Sequence, residues 1–233
     1  LTLAHDPIFD PSRSVAFESA LNAALDRIEA NLHHFSECFP DNSTRAGVYH
    51  PRMPRKDTVV GGNSGWTTSF WTGQLWLAYE LTNDHRFKIL AQKHSESFRD
   101  RLQRRVDLDH HDLGFLYTLS TIVDYRLTGS PQARDTAIGA AHDLMRRYLP
   151  GPGIFQAWGS LDDPEQRGRM IVDCLMNLPL LHFAACQTRD ERYAEAAESH
   201  ARQTAQLLVR PDGTTHHTYY LDVDTGAPRY GRT

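Results

Sequence analysis

Three times along this chain an apolar helical run ends at a short polar turn, and a charged, Ala-rich run follows. The apolar runs close in Tyr79-Glu-Leu-Thr82, Tyr125-Arg-Leu-Thr128 and Ala185-Cys-Gln-Thr188, and the turns are Asn83-Asp84, Gly129-Ser130 and Arg189-Asp190. The threonines stand 46 and 60 residues apart. A period near about 50, built from one buried and one amphipathic helix, marks a repeated helical hairpin. With the apolar helices as an inner layer and the charged ones outside, the product is an α/α toroid. The expected fold class is therefore all-α, an (α/α)6 toroid of helical hairpins. Six hairpins at this period need roughly 300 residues or more. These 233 residues supply three hairpins and a leading helix. The chain thus reads as a single domain over 1–233 that covers the first half to two-thirds of a ring, incomplete at its C-terminal side.

In chain order, residues 1–11 form an extended lead-in with Pro7 and Pro11. Asp10-Pro-Ser12 offers caps for a helix from about Ser14 to His33, with an apolar face of Phe17, Leu21, Ala24, Leu25, Ile28 and Leu32. Residues 36–63 read as irregular, with Pro40, Pro51, Pro54 and Gly61-Gly62; a loop this long is usually functional or mobile. The hairpins then pair 70–81 with 86–104, 115–127 with 131–148, and 170–186 with 190–209. The tail from Arg210 is turn-rich and aromatic, with room for a short β-hairpin. The segments entering the three apolar helices carry the polar residues: Asn63-Ser-Gly-Trp-Thr-Thr68, Asp107-Leu-Asp-His-His-Asp112 and Arg167-Gly-Arg-Met-Ile-Val-Asp173. All three fall at the same end of successive inner helices, which is where a toroid places its cleft.

Charge and composition narrow the partners. A formal net charge of −4 argues against nucleic acid or an anionic membrane as the main partner. Cys38, Cys174 and Cys186 are odd in number and lack metal spacing, so free thiols in a reducing compartment are expected. No apolar run reaches the roughly 18–20 residues of a membrane span, and no signal peptide is visible at Leu1. The expected location is cytoplasmic, with the periplasm as the alternative. Oligomeric state is not legible.

Asp173 and Asn177 are the polar residues in an otherwise apolar stretch from Met170 to Leu181. Four apart, they share one face of a helix, which suggests an inner helix turned towards a polar cavity. Asp112 and Asp173 each begin an apolar helix. Two carboxylates facing one cavity suit acid–base chemistry at a sugar, whereas two capping aspartates are the plainer alternative. Asp112 alone reads as a cap; Asp173, expected three positions inside its helix, fits one less well. His110-His111 and His216-His217 raise a metal, but adjacent histidines point in different directions and no HExxH or Cys/His spacing supports one. One histidine of each pair is the better candidate for binding carbohydrate. Trp71 and Trp76 read as core, while Trp66 and Trp158 lie in loops and can form platforms for a sugar ring. No nucleotide loop and no nucleophile elbow is present.

Trp66-Thr-Thr-Ser-Phe-Trp-Thr-Gly-Gln-Leu-Trp-Leu-Ala-Tyr-Glu80, His110-His-Asp-Leu-Gly-Phe115, Ile171-Val-Asp-Cys-Leu-Met-Asn-Leu178 and Asp212-Gly-Thr-Thr-His-His-Thr-Tyr219 with Asp224-Thr-Gly226 resemble the unsaturated glucuronyl hydrolases of glycoside hydrolase family 88. The likeness runs from about residue 60 along nearly the whole remaining chain. It implies an (α/α)6 toroid acting on lyase-generated oligosaccharides whose non-reducing end is a Δ4,5-unsaturated uronic acid. Under the resemblance Asp173 corresponds to the general acid/base and Asp112 to the second essential carboxylate. His111, His217 and Trp66 correspond to positions that hold the unsaturated sugar; Asn177 and Trp158 join them as candidate substrate-binding residues. The implied reaction is hydration of the C4=C5 vinyl ether, with no metal or organic cofactor. The family continues past this point with a Trp- and Arg-containing segment, where this sequence stops at Thr233. The nearest rival is an unsaturated rhamnogalacturonyl hydrolase acting on pectin fragments, and the rival of another class is a non-catalytic carbohydrate-binding toroid.

Overall fold

In the computed structural model, which describes residues 11–52 and 59–233, helix α1 (Pro11–Asn31) leads the chain. Leu25 and Ile28 in its second half, and Leu32 just after it, pack against the core. Phe17, expected on the same apolar face, is 70% exposed. The lead-in before Pro11 and the stretch holding Pro54 lie outside the described residues. Where an irregular loop was expected, β1 (Pro40–Arg45) and β2 (Val48–Pro51) form an antiparallel hairpin. Ala46 at φ 51° and Gly47 at φ 75° make the turn, both in the left-handed region that two-residue hairpins require.

The repeated hairpins are present. The inner layer holds α2 (Thr68–Thr82), then α4 (Leu113–Tyr117) running through a π turn at 118–122 into α5 (Val123–Thr128), then α7 (Leu178–Thr188). Helices α3 (His85–Gln103), α6 (Pro131–Met145) and α8 (Arg192–Leu207) form the outer layer. Helix α2 packs on α3 and on α4, α4 on α6 and α7, and α7 on α8. The result is an arc of an α/α toroid. The recurring threonine explains how each hairpin turns. The hydroxyls of Thr82, Thr128 and Thr188 donate to the carbonyls of Ala78, Asp124 and Ala184 at 2.6, 2.7 and 2.8 Å. Each hydroxyl also accepts the backbone N–H two residues on, of Asp84, Ser130 and Asp190, at 3.2 Å. The residue after each threonine (Asn83, Gly129, Arg189) is left-handed and closes the helix onto the carbonyl of Tyr79, Tyr125 or Ala185. Asp84 and Ser130 then cap the next helix.

The third inner helix departs from expectation. Residues 170–186 do not form one helix: β5 (Arg169–Ile171) comes first, then a 3-10 turn at 174–177, and α7 begins at Leu178. Pro179 fits the first turn of a helix but not its interior, so the helix starts there. The β-branched pair Ile171-Val172 extends instead. Strand β5 pairs with β6 (Thr218–Leu221), which pairs with β7 (Pro228–Arg232), so the short hairpin expected in the aromatic tail is present as β6–β7 and gains β5 as a third strand. A further short pair, β3 (Tyr148–Leu149) with β4 (Ile154–Phe155), follows α6. Met170, Cys174 and Leu221 meet Ile154 and Leu208 in a small second core. An open apolar groove of about 440 Å³ lies along the inner layer, lined by α2, the α4–α5 segment, Met176 of the 3-10 turn and Pro179 at the start of α7. No described helix is long and apolar enough to cross a membrane.

Candidate active site

A ladder of backbone hydrogen bonds brings four distant segments side by side. His111 N–H donates to Ala157 O at 2.7 Å, and Ala157 N–H to Arg169 O at 2.9 Å. Beyond β5, Val172 N–H donates to His217 O at 2.9 Å. The two carboxylate-bearing turns are pressed together by a second device. Asn177 Oδ1 accepts the Phe115 N–H at 3.0 Å, and Gly114 lies so close that a Cβ there would stand 2.1 Å from Asn177 Cα.

Asp112 and Asp173 both sit at N-cap positions by backbone geometry, yet neither side chain makes a capping hydrogen bond. That separates them from ordinary caps, whose carboxylates accept the first helical N–H groups. They turn towards His111 instead. Its Nε2 stands 3.2 Å from Asp112 Oδ1 and 3.5 Å from Asp173 Oδ1, and the imidazole is 1% exposed. These contacts are set off the line of a good hydrogen bond: both His111 ring nitrogens and Asp173 Oδ1 are buried without a hydrogen-bond partner among the described residues. His110 Nδ1 adds a contact of 3.3 Å to Asp112 Oδ2.

The two carboxyls are driven in opposite directions. Burial pushes Asp112 up, but the flanking His110 and His111 outweigh it and hold the carboxyl well below the usual carboxylate range. Asp173 is raised, first by burial and then by the Asp112 charge, against the lowering influence of His111 and His217. A carboxyl held below the ordinary range and one pushed above its ordinary value thus stand within 4.8 Å of each other around one imidazole. This is the separation of environments that divides acid from anion in a carboxylate pair.

Both members of the first histidine pair touch Asp112, while in the second pair His217 acts on Asp173 and His216 is held by Arg210. His110 Nε2 lies 3.0 Å from Asp107 O, and His216 Nδ1 lies 3.0 Å from Arg210 Nη2 beneath Gly231. His217 Nδ1 is 2.8 Å from Thr218 Oγ1 and close enough for its charge to act on Asp173. Trp66 is 44% exposed and leans on Phe70 and Phe115, with ring centroids 6.0 and 5.8 Å away. Trp158 is 41% exposed and carries the Arg169 guanidinium 4.6 Å from its ring centroid. Trp71 and Trp76 are buried, as expected. Asn177 is buried too: its oxygen is committed to Phe115, while its Nδ2 has no partner among the described residues. It does not share a helix face with Asp173, because it stands at the start of α7, without a capping bond, and Asp173 precedes the 3-10 turn.

Two buried arginines that sequence reasoning passed over hold the loops. Arg101 donates to Gly65 O at 2.8 Å, Asn63 Oδ1 at 3.1 Å and Asp107 O at 2.6 Å, tying the Trp66 loop to the His110–Asp112 loop. Arg147 binds Gln156 O at 2.9 Å, Gly159 O at 2.9 Å and the Asp109 carboxylate, which fixes the Trp158 loop. Both arise within Arg-rich helix ends, where nothing in the sequence separates a buried guanidinium from a solvated one. His111, Asp112 and Asp173 also form a set of three donors compact enough to hold a metal ion.

The family model described as Glycosyl Hydrolase Family 88 matches residues 40–226. The chain is 44% identical over 214 residues to an unsaturated chondroitin disaccharide hydrolase of Streptococcus pneumoniae, covering 92% of this chain and 52% of that protein. It is 42% identical over 217 residues to an unsaturated glucuronyl hydrolase of Bacillus sp. GL1, covering 93% and 55%. The crystal structure of an unsaturated glucuronyl hydrolase from Streptococcus agalactiae superposes with a TM-score of 0.86 at 42% identity, covering 93% of this chain and 52% of that one. The chain spans about half the length of the curated relatives it matches.

Proposed function

The chain belongs to glycosyl hydrolase family 88, and from that membership we propose that the protein carrying it releases a non-reducing-end Δ4,5-unsaturated uronic acid from oligosaccharides left by polysaccharide lyases. The observation that carries the reading is the pair of carboxyls with opposed proton affinities around His111. The raised Asp173 delivers its proton to C4 of the vinyl ether. Positive charge then develops at C5 and the ring oxygen, where the Asp112 anion offsets it. Asp173, now ionised, takes a proton from a water that adds at C5 and so recovers its acid form. The resulting hemiketal opens and expels the rest of the saccharide. No step calls for a metal or an organic cofactor. In this reading Trp66, with Phe70 and Phe115 behind it, supplies an apolar face for the sugar, and His111, His217 and Trp158 are further candidate contacts. The names of the relatives favour uronic acids from glycosaminoglycans over pectin fragments.

The test is to incubate the protein with an unsaturated chondroitin disaccharide and follow the ultraviolet absorbance of its conjugated C=C bond. Loss of absorbance requires catalysis. Saturable binding with constant absorbance would leave a carbohydrate-binding toroid instead.

A further inference from the structure

Strand β5 carries more than the approach to Asp173. Across the sheet Arg169 is paired with Tyr220, Tyr220 with Tyr230, and Thr218 with Arg232. Side chains alternate between the faces of a sheet, so Arg169, Tyr220, Tyr230 and Arg232 share one face, while Met170 on the other enters the second core. On the shared face cations and rings are layered. The Arg169 guanidinium lies 4.6 Å from the Trp158 centroid and 5.5 Å from that of Tyr220, and Arg232 lies 5.8 Å from Tyr220 and 5.2 Å from Tyr230. Tyr220 and Tyr230 stack at 4.8 Å.

Arg169 spends Nε on the Tyr220 hydroxyl at 3.1 Å. Its two terminal nitrogens have no hydrogen-bond partner among the described residues, and neither Arg169 nor Arg232 meets a carboxylate there. An arginine stacked on aromatic rings is held in a fixed plane with its N–H edge free, the arrangement suited to bidentate recognition of an oxyanion. It is also tied to the carboxylate pair, since Arg169 O accepts from Ala157 and Ala157 O from His111.

We propose that this sheet face extends the site as a subsite for an anionic sugar, with Arg169 the specificity-determining residue that receives an oxyanion of a saccharide resting on Trp158. The inference rests on the saccharide reading above and adds to it a residue that reads an anionic group of the saccharide. Sulfate on the sugar next to the unsaturated uronate and the uronate carboxylate itself share this chemistry.

Arg169→Gln and Arg169→Lys are compared with the unaltered protein on unsulfated and sulfated unsaturated chondroitin disaccharides, with KM, kcat and the dependence of KM on ionic strength as readouts. The expected result for Arg169→Gln is a KM raised about tenfold or more, a kcat within about twofold, and a flatter salt dependence, with Arg169→Lys between the two. A rise confined to the sulfated substrate assigns the oxyanion to sulfate; an equal rise on both assigns it to the uronate carboxylate. An unchanged KM on both substrates, or a loss of kcat with the salt dependence intact, overturns the proposal. Titration of Trp fluorescence with a saturated sulfated chondroitin disaccharide measures the same contact without turnover. Weaker binding by Arg169→Gln there would uphold the subsite even if the hydrolase reading failed.

Discussion

Gly114 and Asn177 touch backbone to backbone: a Cβ on Gly114 would fall 2.1 Å from Asn177 Cα and 2.5 Å from its carbonyl oxygen. The contact joins the turn after Asp112 to the turn after Asp173, and the Phe115 N–H bond to Asn177 Oδ1 locks it at 3.0 Å. Gly114→Ala cannot be absorbed by a side-chain rotation, because the obstacle is main chain. Overpacking of this kind costs about 1–3 kcal/mol and sometimes more. The expected outcome is a lower melting temperature together with at least about a tenfold loss of turnover per folded molecule, since parting the turns by even about 1 Å misaligns the carboxyls. Retained turnover in a destabilised variant would show that the contact serves packing alone.

Trp66 and Trp76 should separate cleanly. Trp76 is 1% exposed and Trp66 44%. Trp76→Ala should destabilise the fold by about 3–5 kcal/mol, the usual range for a buried aromatic. Trp66→Ala should leave the melting temperature near that of the parent and raise KM or Kd for the saccharide. A comparable loss of stability in both variants, with normal binding by what folds, would place Trp66 in the core.

The elements legible in the sequence are those set by local chemistry. The threonine turns were readable because each needs a hydroxyl, a left-handed residue and a cap within a few positions, and all three recur. Trp66, His111, Asp112 and Asp173 were legible as residue types at the entries to the inner helices, whereas His217 and Trp158 lie in the tail and in a loop away from those entries. What failed was the stretch around Asp173, where helical periodicity in an apolar run masked a strand, a 3-10 turn and a proline start. Its partner strand lies at 218–221, and no local pattern reveals a pairing across that distance. Arg101, Arg147 and Gly114 were missed for the same reason. Their meaning lies in what is packed against them, and the sequence shows only their neighbours along the chain.

Two buried histidines predict loss of stability in acid. Burial pushes His94 down to about 4, and burial with the charge of His111 pushes His200 down to about 3. Both are held in the folded state, His94 by Phe35 O and His200 by the Phe155 N–H, each at 3.0 Å. Their folded values lie below the ordinary histidine value, so the unfolded chain binds protons first. The contribution is whole above about pH 6.5 and drains away as pH falls towards 4, by up to about 1.4 kcal/mol per pH unit for each histidine. Denaturant melts across that window should show the slope, and His200→Gln should remove roughly half of it. A flat profile would count against both buried neutral rings.

The three-donor cluster permits a direct test of metal independence. If His111, Asp112 and Asp173 work as proton-transfer and charge groups, dialysis against a chelator should leave turnover and melting temperature unchanged. Loss of activity restored by Zn²⁺ or Mn²⁺ would reassign the three residues as ligands, since their donor atoms stand within 4.8 Å of one another.

Asp173→Asn tests the chemistry most directly. Delivery of a proton to carbon requires an ionisable carboxyl, and an amide of the same outline cannot provide it. The variant should fold and bind saccharide normally yet lose on the order of 10²–10⁴ in turnover, the range for a positioned acid. Its stability should equal or exceed that of the parent above the Asp173 pKa, because the raised value means that the fold disfavours the ionised form. Asp112→Asn should behave oppositely. Its carboxyl is held below the usual range, so the anion stabilises the fold at neutral pH, and that contribution drains away as pH falls from the ordinary carboxylate value through the lowered one. The sign of the pH–rate profile follows from the same pair. Asp173 carries its proton below its raised pKa, so turnover should be full there and fall as pH rises through it. The acid limb should lie where Asp112 gains a proton, below the ordinary carboxylate range, unless acid unfolding intervenes first. Near-normal turnover by a folded Asp173→Asn protein, or activity that climbs steadily into alkali, would return Asp173 to the role of a residue at a helix start.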